Sequence, residues 1–151
     1  QEHFGEEFEL VEPGSWGAGA TAGTRNAWKR YRQVITSFDP QTEGISEGVN
    51  PGQADRFHRE RFPDLVLAGW DLVIIDESHK VAGVANEVAR YDLAKGVSRA
   101  APNVLLLSAT PHSGKSDAFQ RLLSLLDPGC FAADQALTRE KVSRYLIRTE
   151  K

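Results

Sequence analysis

The hydropathy pattern of the chain is dominated by two short apolar runs. Leu72–Ile75 (LVII) and Val104–Leu107 (VLLL) are each too short for a buried helix. Such runs are typical of strands that are buried on both faces of a parallel sheet. Helical periodicity covers Asn86–Ala100 after the first run and Asp117–Leu126 after the second. Because strands that alternate with helices form βαβ units, the pattern predicts an α/β fold with a parallel sheet.

Weaker patterns lie on either side of this central part. Phe4–Glu12 alternates apolar and acidic residues and Gln33–Phe38 is rich in β-branched residues, so each predicts a short strand. Pro13–Thr24 and Gln41–Gly52 are rich in glycine and small polar residues and predict loops. Thr138 has the side chain of an N-cap and predicts the start of a last helix.

Composition narrows the class of protein. The chain has 151 residues, of which 40% are hydrophobic and 26% charged, as in one ordinary globular domain. No apolar run reaches membrane-spanning length and no signal peptide opens the chain, so we expect no membrane partner. The single Cys130 excludes an internal disulfide and fits the cytoplasm. The absence of methionine indicates a piece of a longer protein.

Two carboxylates follow the first apolar run. Asp76 and Glu77 come directly after Ile75, where the strand should end. Open α/β sheets place their ligands at the carboxyl ends of the strands, and an acidic pair there can hold Mg²⁺ and orient a water molecule. A solvated acidic turn after a core strand gives the same pattern, so the pair alone leaves both interpretations open.

A basic and aromatic cluster precedes the second predicted strand. It consists of Arg25, Lys29, Arg30 and Arg32 around Trp28 and Tyr31. Basic residues interleaved with aromatic ones can bind nucleic acid phosphates and bases. Because the net charge of the chain is −3, any such contact would be local. The alternative is a charged, solvated helix surface.

A relaxed phosphate-loop pattern spans Ala109–Ser116 (ATPHSGKS). Three features oppose that interpretation. Ala109 replaces the leading glycine that lets successive amides wrap a phosphate, and Pro111 has no amide to donate. The segment also follows the acidic strand, whereas a phosphate loop usually precedes it. We therefore expect a different role for this segment.

Taken together, these motifs resemble superfamily two helicases and translocases. DLVIIDESHK (71–80) resembles motif II, NVLLLSATPHSG (103–114) resembles motif III, and VITSFD (34–39) resembles motif Ib. The tail, SATPHSGKSDAFQRLLSLLDPGCF (108–131) followed by YLIRTEK (145–151), looks most like the Swi/Snf-like branch and its bacterial RapA-like ATPases. The resemblance runs from about Phe4 to Lys151.

The resemblance implies a fold and a set of roles. The fold would be an incomplete RecA-like P-loop NTPase lobe with a three-layer parallel sheet, and residues 1–151 would be the carboxyl-side part of the first such lobe. Asp76 matches the aspartate that coordinates Mg²⁺ near the phosphates of ATP, Glu77 the general base, and His79 the histidine that relays nucleotide state. The coupling triplet of motif III matches Ser108, Ala109 and Thr110, and the nucleic acid contacts of motif Ib match Thr36 and Ser37.

The function implied is that of a DEAH-type fragment of an ATP-dependent DNA translocase. Its partners would be duplex DNA, with RNA possible, and the rest of the helicase chain, including the Walker A segment and the second lobe. Without those parts we expect the isolated chain to be inactive. Two alternatives stay open: a non-catalytic lobe that binds nucleic acid or protein, and an independent phosphate-loop kinase or NTPase that uses ATPHSGKS.

Overall fold

The computed structural model describes residues 7–11, 26–36, 63–82, 88–109 and 116–148. The chain divides into two compact units, Gln1–Gly69 and Trp70–Lys151. Its strands are β1 (Glu9–Val11), β2 (Val34–Thr36), β3 (Leu72–Ile75) and β4 (Asn103–Leu106). Its α-helices are α1 (Val88–Ala100), α2 (Ser116–Leu126) and α3 (Arg139–Ser143), with short 3₁₀ helices at Ala27–Arg30 and Ser78–Lys80.

The first unit contains a parallel strand pair. β1 and β2 pair with Leu10 opposite Ile35, and these two apolar side chains are 64% and 53% exposed. The 3₁₀ helix at Ala27–Arg30 begins at Asn26, whose side chain accepts the N–H of Trp28 at 3.0 Å. The side-chain amide of Asn26 also donates to the carbonyl of Asp64, in a helical turn at 63–66.

The second unit is a parallel β–α–β arrangement. β3 and β4 pair in parallel from Leu72 opposite Asn103 to Ile75 opposite Leu106, and α1 connects them. This confirms that the two apolar runs form parallel strands, as predicted. The predicted helices also form, because their apolar positions recur at helical spacing and each buries one face.

The core of the second unit lies between the helices and one face of the sheet. α1 packs against β3 and α2, and Ile75, Ala94 and Val97 are buried where they meet. The hydroxyls of Tyr91 and Ser124 lie 2.9 Å apart and join α1 to α2. The apolar face of α2 is buried as well, through Phe119, Leu122, Leu123 and Leu125.

The prediction that both runs are buried on both faces is wrong for this chain. Leu72 and Ile74 of β3 are each 53% exposed, and Leu105 and Leu107 at β4 are 45% and 43% exposed. Side chains alternate between the two faces of a strand, and the described helices cover only the face that carries Ile75. The described residues therefore form α/β units with parallel strand pairs, and a third layer is not among them.

The segment after α2 is held by a side-chain network at Asp127. Its Oδ1 accepts the N–H groups of Gly129 and Cys130 at 3.0 and 2.9 Å, which closes the turn directly after α2. Its Oδ2 accepts the hydroxyl of Tyr145 at 2.7 Å, and the Tyr145 ring packs edge-on against Phe131 with centroids 5.0 Å apart. The Tyr145 hydroxyl lowers the pKa of Asp127, and Asp127 in turn raises the pKa of Tyr145.

The last helix begins as predicted. The Thr138 side chain accepts the N–H of Lys141 at 3.3 Å, which caps α3. Phe119, Leu123 and Phe131 form the apolar cluster against which Val142 packs. Among the described residues no helix is long and apolar enough to cross a membrane.

Candidate active site

The carboxyl ends of β3 and β4 are held together beyond the strands themselves. Leu107 donates its N–H to the carbonyl of Ile75 at 2.9 Å, and its own carbonyl accepts the N–H of Ser78 at 2.8 Å. These bonds continue the parallel ladder by one step and leave little freedom between the two strand ends. As a result, the segment after β3 that starts at Asp76 lies beside Ser108.

Asp76 and Glu77 form an exposed turn directly after β3. Glu77 has φ 47° and ψ 41°, the left-handed conformation, and is the only non-glycine residue with positive φ in the described part of the chain. Its N–H donates to Asp76 Oδ1 at 2.7 Å, and its carbonyl accepts the N–H of Lys80 at 2.8 Å. The sharp turn thus places both carboxylates at the end of the strand, where the sequence predicts them.

His79 contacts both of the predicted motifs. Its Nδ1 lies 3.1 Å from Glu77 Oε2 and 3.2 Å from Ser108 Oγ. The 3₁₀ helix Ser78–Lys80 makes this possible, because it turns His79 back over Glu77 while Ser78 is buried at 2% exposure. The small side chain of Ser78 suits that buried position.

The donor set at Asp76 fits a magnesium ion that is shared with phosphates. Mg²⁺ prefers hard oxygen ligands and usually keeps several waters, with one or two carboxylates from the protein. Asp76 is exposed, and its Oδ2 accepts no hydrogen bond from the described residues. Within the described ranges no group of three or more His, Cys, Asp or Glu side chains could hold a metal ion.

The predicted nucleic acid residues lie in the first unit. Lys29, Arg30 and Arg32 are exposed, whereas Trp28 is buried at 3% exposure and its face is not open for stacking. The Arg30 guanidinium lies over the ring of Tyr31, 4.7 Å from its centroid. The cluster therefore presents cations rather than a row of aromatic rings.

The structure also describes Thr36, at the end of β2, and Ala109, which is exposed after Ser108. Three other predicted site residues, Arg25, Ser37 and Thr110, lie outside the described residues, as does the Gly-Lys pair of the relaxed phosphate-loop pattern.

Sequence reasoning missed two features of this site. It did not foresee the left-handed conformation of Glu77, because residues in that conformation are usually glycine or asparagine. It also did not foresee that one nitrogen of His79 lies between Glu77 and Ser108. The only signal in the sequence was that His79 is the second residue after Glu77. That separation predicts a contact only when the conformation of the turn is known.

Curated relatives identify the family. The chain is 32% identical over 123 residues to the RNA polymerase-associated protein RapA of Pseudomonas aeruginosa (strain LESB58), a match that covers 74% of this chain and 13% of that protein. RapA of Proteus mirabilis (strain HI4320) is 40% identical over 117 residues, covering 68% of this chain and 12% of the relative. The chain belongs to the RapA-like family. A third relative, RapA of Pseudomonas putida, is 39% identical over 128 residues, and this match covers 78% of the chain.

The family match confirms the resemblance to the RapA-like branch of the Swi/Snf-like ATPases. No family model matches the chain. The chain spans only 12% to 13% of the length of these relatives, so it corresponds to a small part of a RapA-like protein. Their names describe them as RNA polymerase-associated.

Proposed function

We propose that the chain is the carboxyl-side part of the first RecA-like lobe of an ATP-dependent DNA translocase. One observation carries this proposal: His79 lies between Glu77 after β3 and Ser108 after β4, within 3.1 and 3.2 Å. A solvated acidic turn would not need a histidine that contacts the end of the neighbouring strand. In this proposal the three residues belong to a site that senses and hydrolyses ATP.

In the proposed reaction Glu77 is the general base. Its carboxylate would accept a proton from the attacking water, and Asp76 is the residue that would hold the metal ion. Bound Mg²⁺ would neutralise charge on the transferred phosphoryl group and its leaving group. The chain itself contributes the placement of the two carboxylates, which the rigid turn after β3 fixes side by side.

The proposed lobe has a third layer that comes from the rest of the parent protein. The face of the β3–β4 pair that carries Leu72, Ile74, Leu105 and Leu107 is apolar and exposed. Parallel sheets in α/β proteins are covered on both faces. We propose that residues 1–151 form one part of this lobe and that other segments of the parent, including a Walker A loop, complete it.

The partners follow from the same proposal. Exposed Lys29, Arg30 and Arg32, with Thr36, would contact the phosphates of duplex DNA or of RNA. Arg25 and Ser37 are proposed for the same surface from their sequence positions. The relatives are RNA polymerase-associated by name, and we extend that association to the parent as a proposal.

The decisive experiment replaces Glu77 by glutamine in the intact parent. Glu77→Gln keeps the size of the side chain but removes the proton acceptor, so ATP with Mg²⁺ should still bind. Turnover should fall by about two to four orders of magnitude, the usual worth of a positioned base. The matched control is Glu140→Gln, an exposed glutamate on α3 whose side chain is 84% exposed and pairs with Arg144; it should leave turnover unchanged.

The other outcomes distinguish the rival functions. Unchanged turnover in Glu77→Gln, or a parent without ATPase activity, would favour the non-catalytic binding lobe. ATP hydrolysis by the isolated chain that disappears in Lys115→Ala would instead favour an independent phosphate-loop enzyme. Loss of nucleotide binding in Glu77→Gln would mean that this carboxylate has a structural role.

A further inference from the structure

The segment that runs from Asn26 to Gln33 is held at both of its ends. At its start, the side-chain oxygen of Asn26 accepts the N–H of Trp28 at 3.0 Å, and the side-chain amide of Asn26 donates to the carbonyl of Asp64. At its end, the carbonyl of Gln33 accepts the N–H of Glu9, in β1, at 3.1 Å. Both ends of the segment are therefore tied to other parts of the first unit.

The middle of the segment is fixed by burial and by two backbone hydrogen bonds. The side chain of Trp28 is buried at 3% exposure. Lys29 donates its N–H to the carbonyl of Asn26 at 3.2 Å. Tyr31 donates its N–H to the carbonyl of Trp28 at 3.1 Å. Because Lys29 and Arg30 lie within this 3₁₀ helix, their backbone positions are set while their side chains stay exposed.

The side chain of Arg30 is oriented as well. Its guanidinium carbon lies over the ring of Tyr31, 4.7 Å from the ring centroid. The Tyr31 ring in turn packs edge-on against Trp28, with the two centroids 6.4 Å apart. A guanidinium that rests on an aromatic ring has fewer conformations to lose when it binds an anion. The buried Trp28 is thus connected through Tyr31 to the exposed Arg30.

The chemistry of this surface suits phosphate oxygens. Three cations of the segment are exposed, namely Lys29, Arg30 and Arg32. The sequence between Asn26 and Gln33 contains no acidic residue that would oppose an anion. Trp28 is buried, and one face of the Tyr31 ring already carries a guanidinium, so stacking of bases is restricted. Contacts of this kind go to the backbone of a nucleic acid and depend little on its sequence.

We infer that Asn26 is a positioning residue of this surface. Its two hydrogen bonds hold the 3₁₀ helix, so that Lys29 and Arg30 meet the phosphates of duplex DNA with their backbone already ordered. The inference rests on the proposed function, which assigns these cations to nucleic acid. Without the Asn26 side chain the helix loses its cap and its link to Asp64, and ordering of the segment is added to the cost of binding.

The test measures the affinity of the intact parent for duplex DNA by fluorescence anisotropy, at one salt concentration and below the unfolding temperature of every variant. Asn26→Ala should weaken the affinity by about two- to tenfold, the usual cost of ordering one long side chain on binding. The net charge is unchanged in this variant, so lost charge cannot explain the effect. The matched control is Thr138→Ala, which removes the cap of α3 and should leave the affinity unchanged. Equal losses in both variants would overturn the inference.

The cations of the 3₁₀ helix separate this role from a general loss of stability. In a parent that already carries Lys29→Gln and Arg30→Gln, Asn26→Ala should have no further effect on DNA affinity, as expected for coupled residues in a double-mutant cycle. An equal effect of Asn26→Ala in both backgrounds would contradict the positioning role. If Asn26→Ala does not fold, Asn26→Ser replaces it, because serine keeps a capping oxygen but loses the amide that donates to Asp64. Its effect should vanish in the same background.

Failure of the inference is distinguishable from failure of the proposed function. If Lys29→Gln with Arg30→Gln weakens DNA binding but Asn26→Ala does not, the nucleic acid surface stands and the positioning role falls. If the two charge substitutions leave DNA affinity unchanged, the proposed nucleic acid contact fails first, and the inference fails with it.

Discussion

At the scale of single residues, Glu77 combines an exposed carboxylate with a backbone conformation that most residues avoid. Its φ of 47° places Cβ close to its own carbonyl oxygen, which costs about 1–2 kcal/mol for a residue with a side chain. The hydrogen bonds to Asp76 and from Lys80 hold it there. Strain of this kind is found where a side chain must point in one particular direction.

This strain predicts an unusual order of stability for two variants. Glu77→Gly should be more stable than Glu77→Ala by about 1 kcal/mol, because only glycine adopts this conformation without a Cβ clash. At Glu140, in α3, the order should be the usual one, with alanine more stable than glycine by about 0.5–1 kcal/mol. Thermal unfolding of the intact parent measures both pairs. Alanine more stable than glycine at position 77 would contradict the left-handed assignment.

At the scale of elements, short segments are stabilised by hydrogen bonds from side chains at their ends, because they have few backbone hydrogen bonds of their own. Asn26 caps the 3₁₀ helix at Ala27–Arg30, Thr138 caps α3, and Asp127 closes the turn after α2. Such contacts are local, and they matter because elements of three to five residues have few hydrogen bonds of their own. The bond from Tyr145 to Asp127 is the longer-range member of this group.

The Asp127–Tyr145 contact gives stability a defined dependence on pH. Because folding lowers the pKa of Asp127, the ionised carboxylate contributes to the free energy of unfolding above about pH 4. This contribution is lost as the pH falls further. Because folding raises the pKa of Tyr145, that contribution exists below about pH 10 and is lost as the pH rises through the folded value. Tyr145→Phe should therefore be less stable than the natural protein between these limits, and the difference should shrink outside them.

Denaturant unfolding of the parent across this pH range measures the effect. Tyr91→Phe is the matched control, because it also removes one hydroxyl, but one that pairs with Ser124 instead of a carboxylate. Its stability difference should stay constant on the acid side. A difference for Tyr145→Phe that is equally constant there would show that Asp127 is not its partner in solution.

The proposed contacts with DNA phosphates lie on the 3₁₀ helix at Ala27–Arg30 and on the residues directly after it. Replacing Lys29, Arg30 and Arg32 together by glutamine should reduce the slope of DNA affinity against salt by about 0.9 for each phosphate that the protein no longer neutralises. The control replaces three other exposed cations by glutamine, namely Arg99, Arg139 and Arg144. It removes the same total charge and should leave the slope of DNA affinity against salt unchanged. Equal slopes for both triple variants would assign the first cluster to a solvated surface.

At the scale of the whole molecule, the important feature is the exposed apolar face of the β3–β4 pair. Ile74 and Leu105 lie opposite each other in the register and are 53% and 45% exposed. Large apolar side chains that stay exposed on a short strand pair favour association with other chains. We therefore expect the isolated chain to be poorly soluble and to gain order when the rest of the proposed lobe is supplied.

If other segments of the parent cover this face, one substitution should have opposite effects in the isolated chain and in the parent. Leu105→Ala should raise the soluble fraction of the isolated chain, yet destabilise the parent by about 2–5 kcal/mol if the proposed third layer buries that side chain. Leu122→Ala, at a position already buried at 4% exposure, should reduce stability in both contexts. Soluble yield and thermal unfolding are the measurements. A parent that tolerates Leu105→Ala would argue against a covering layer.

The sequence by itself determined that β3 and β4 are parallel strands, the helices between and after them, and the cap at Thr138. Hydrophobic periodicity and capping chemistry are local, so a single chain carries them in full. The same patterns placed the Asp76–Glu77 pair at the carboxyl end of the first predicted strand, where open α/β sheets place their ligands.

Only the tertiary structure decided the rest. It placed His79 between Glu77 and Ser108, put Glu77 in the left-handed conformation, and buried Trp28 among its neighbours. It also left one face of the sheet exposed, although the apolar runs predicted burial on both. An apolar run records that a strand is suited to burial, whereas actual burial depends on which other elements pack against each face, and that is a property of the assembled fold.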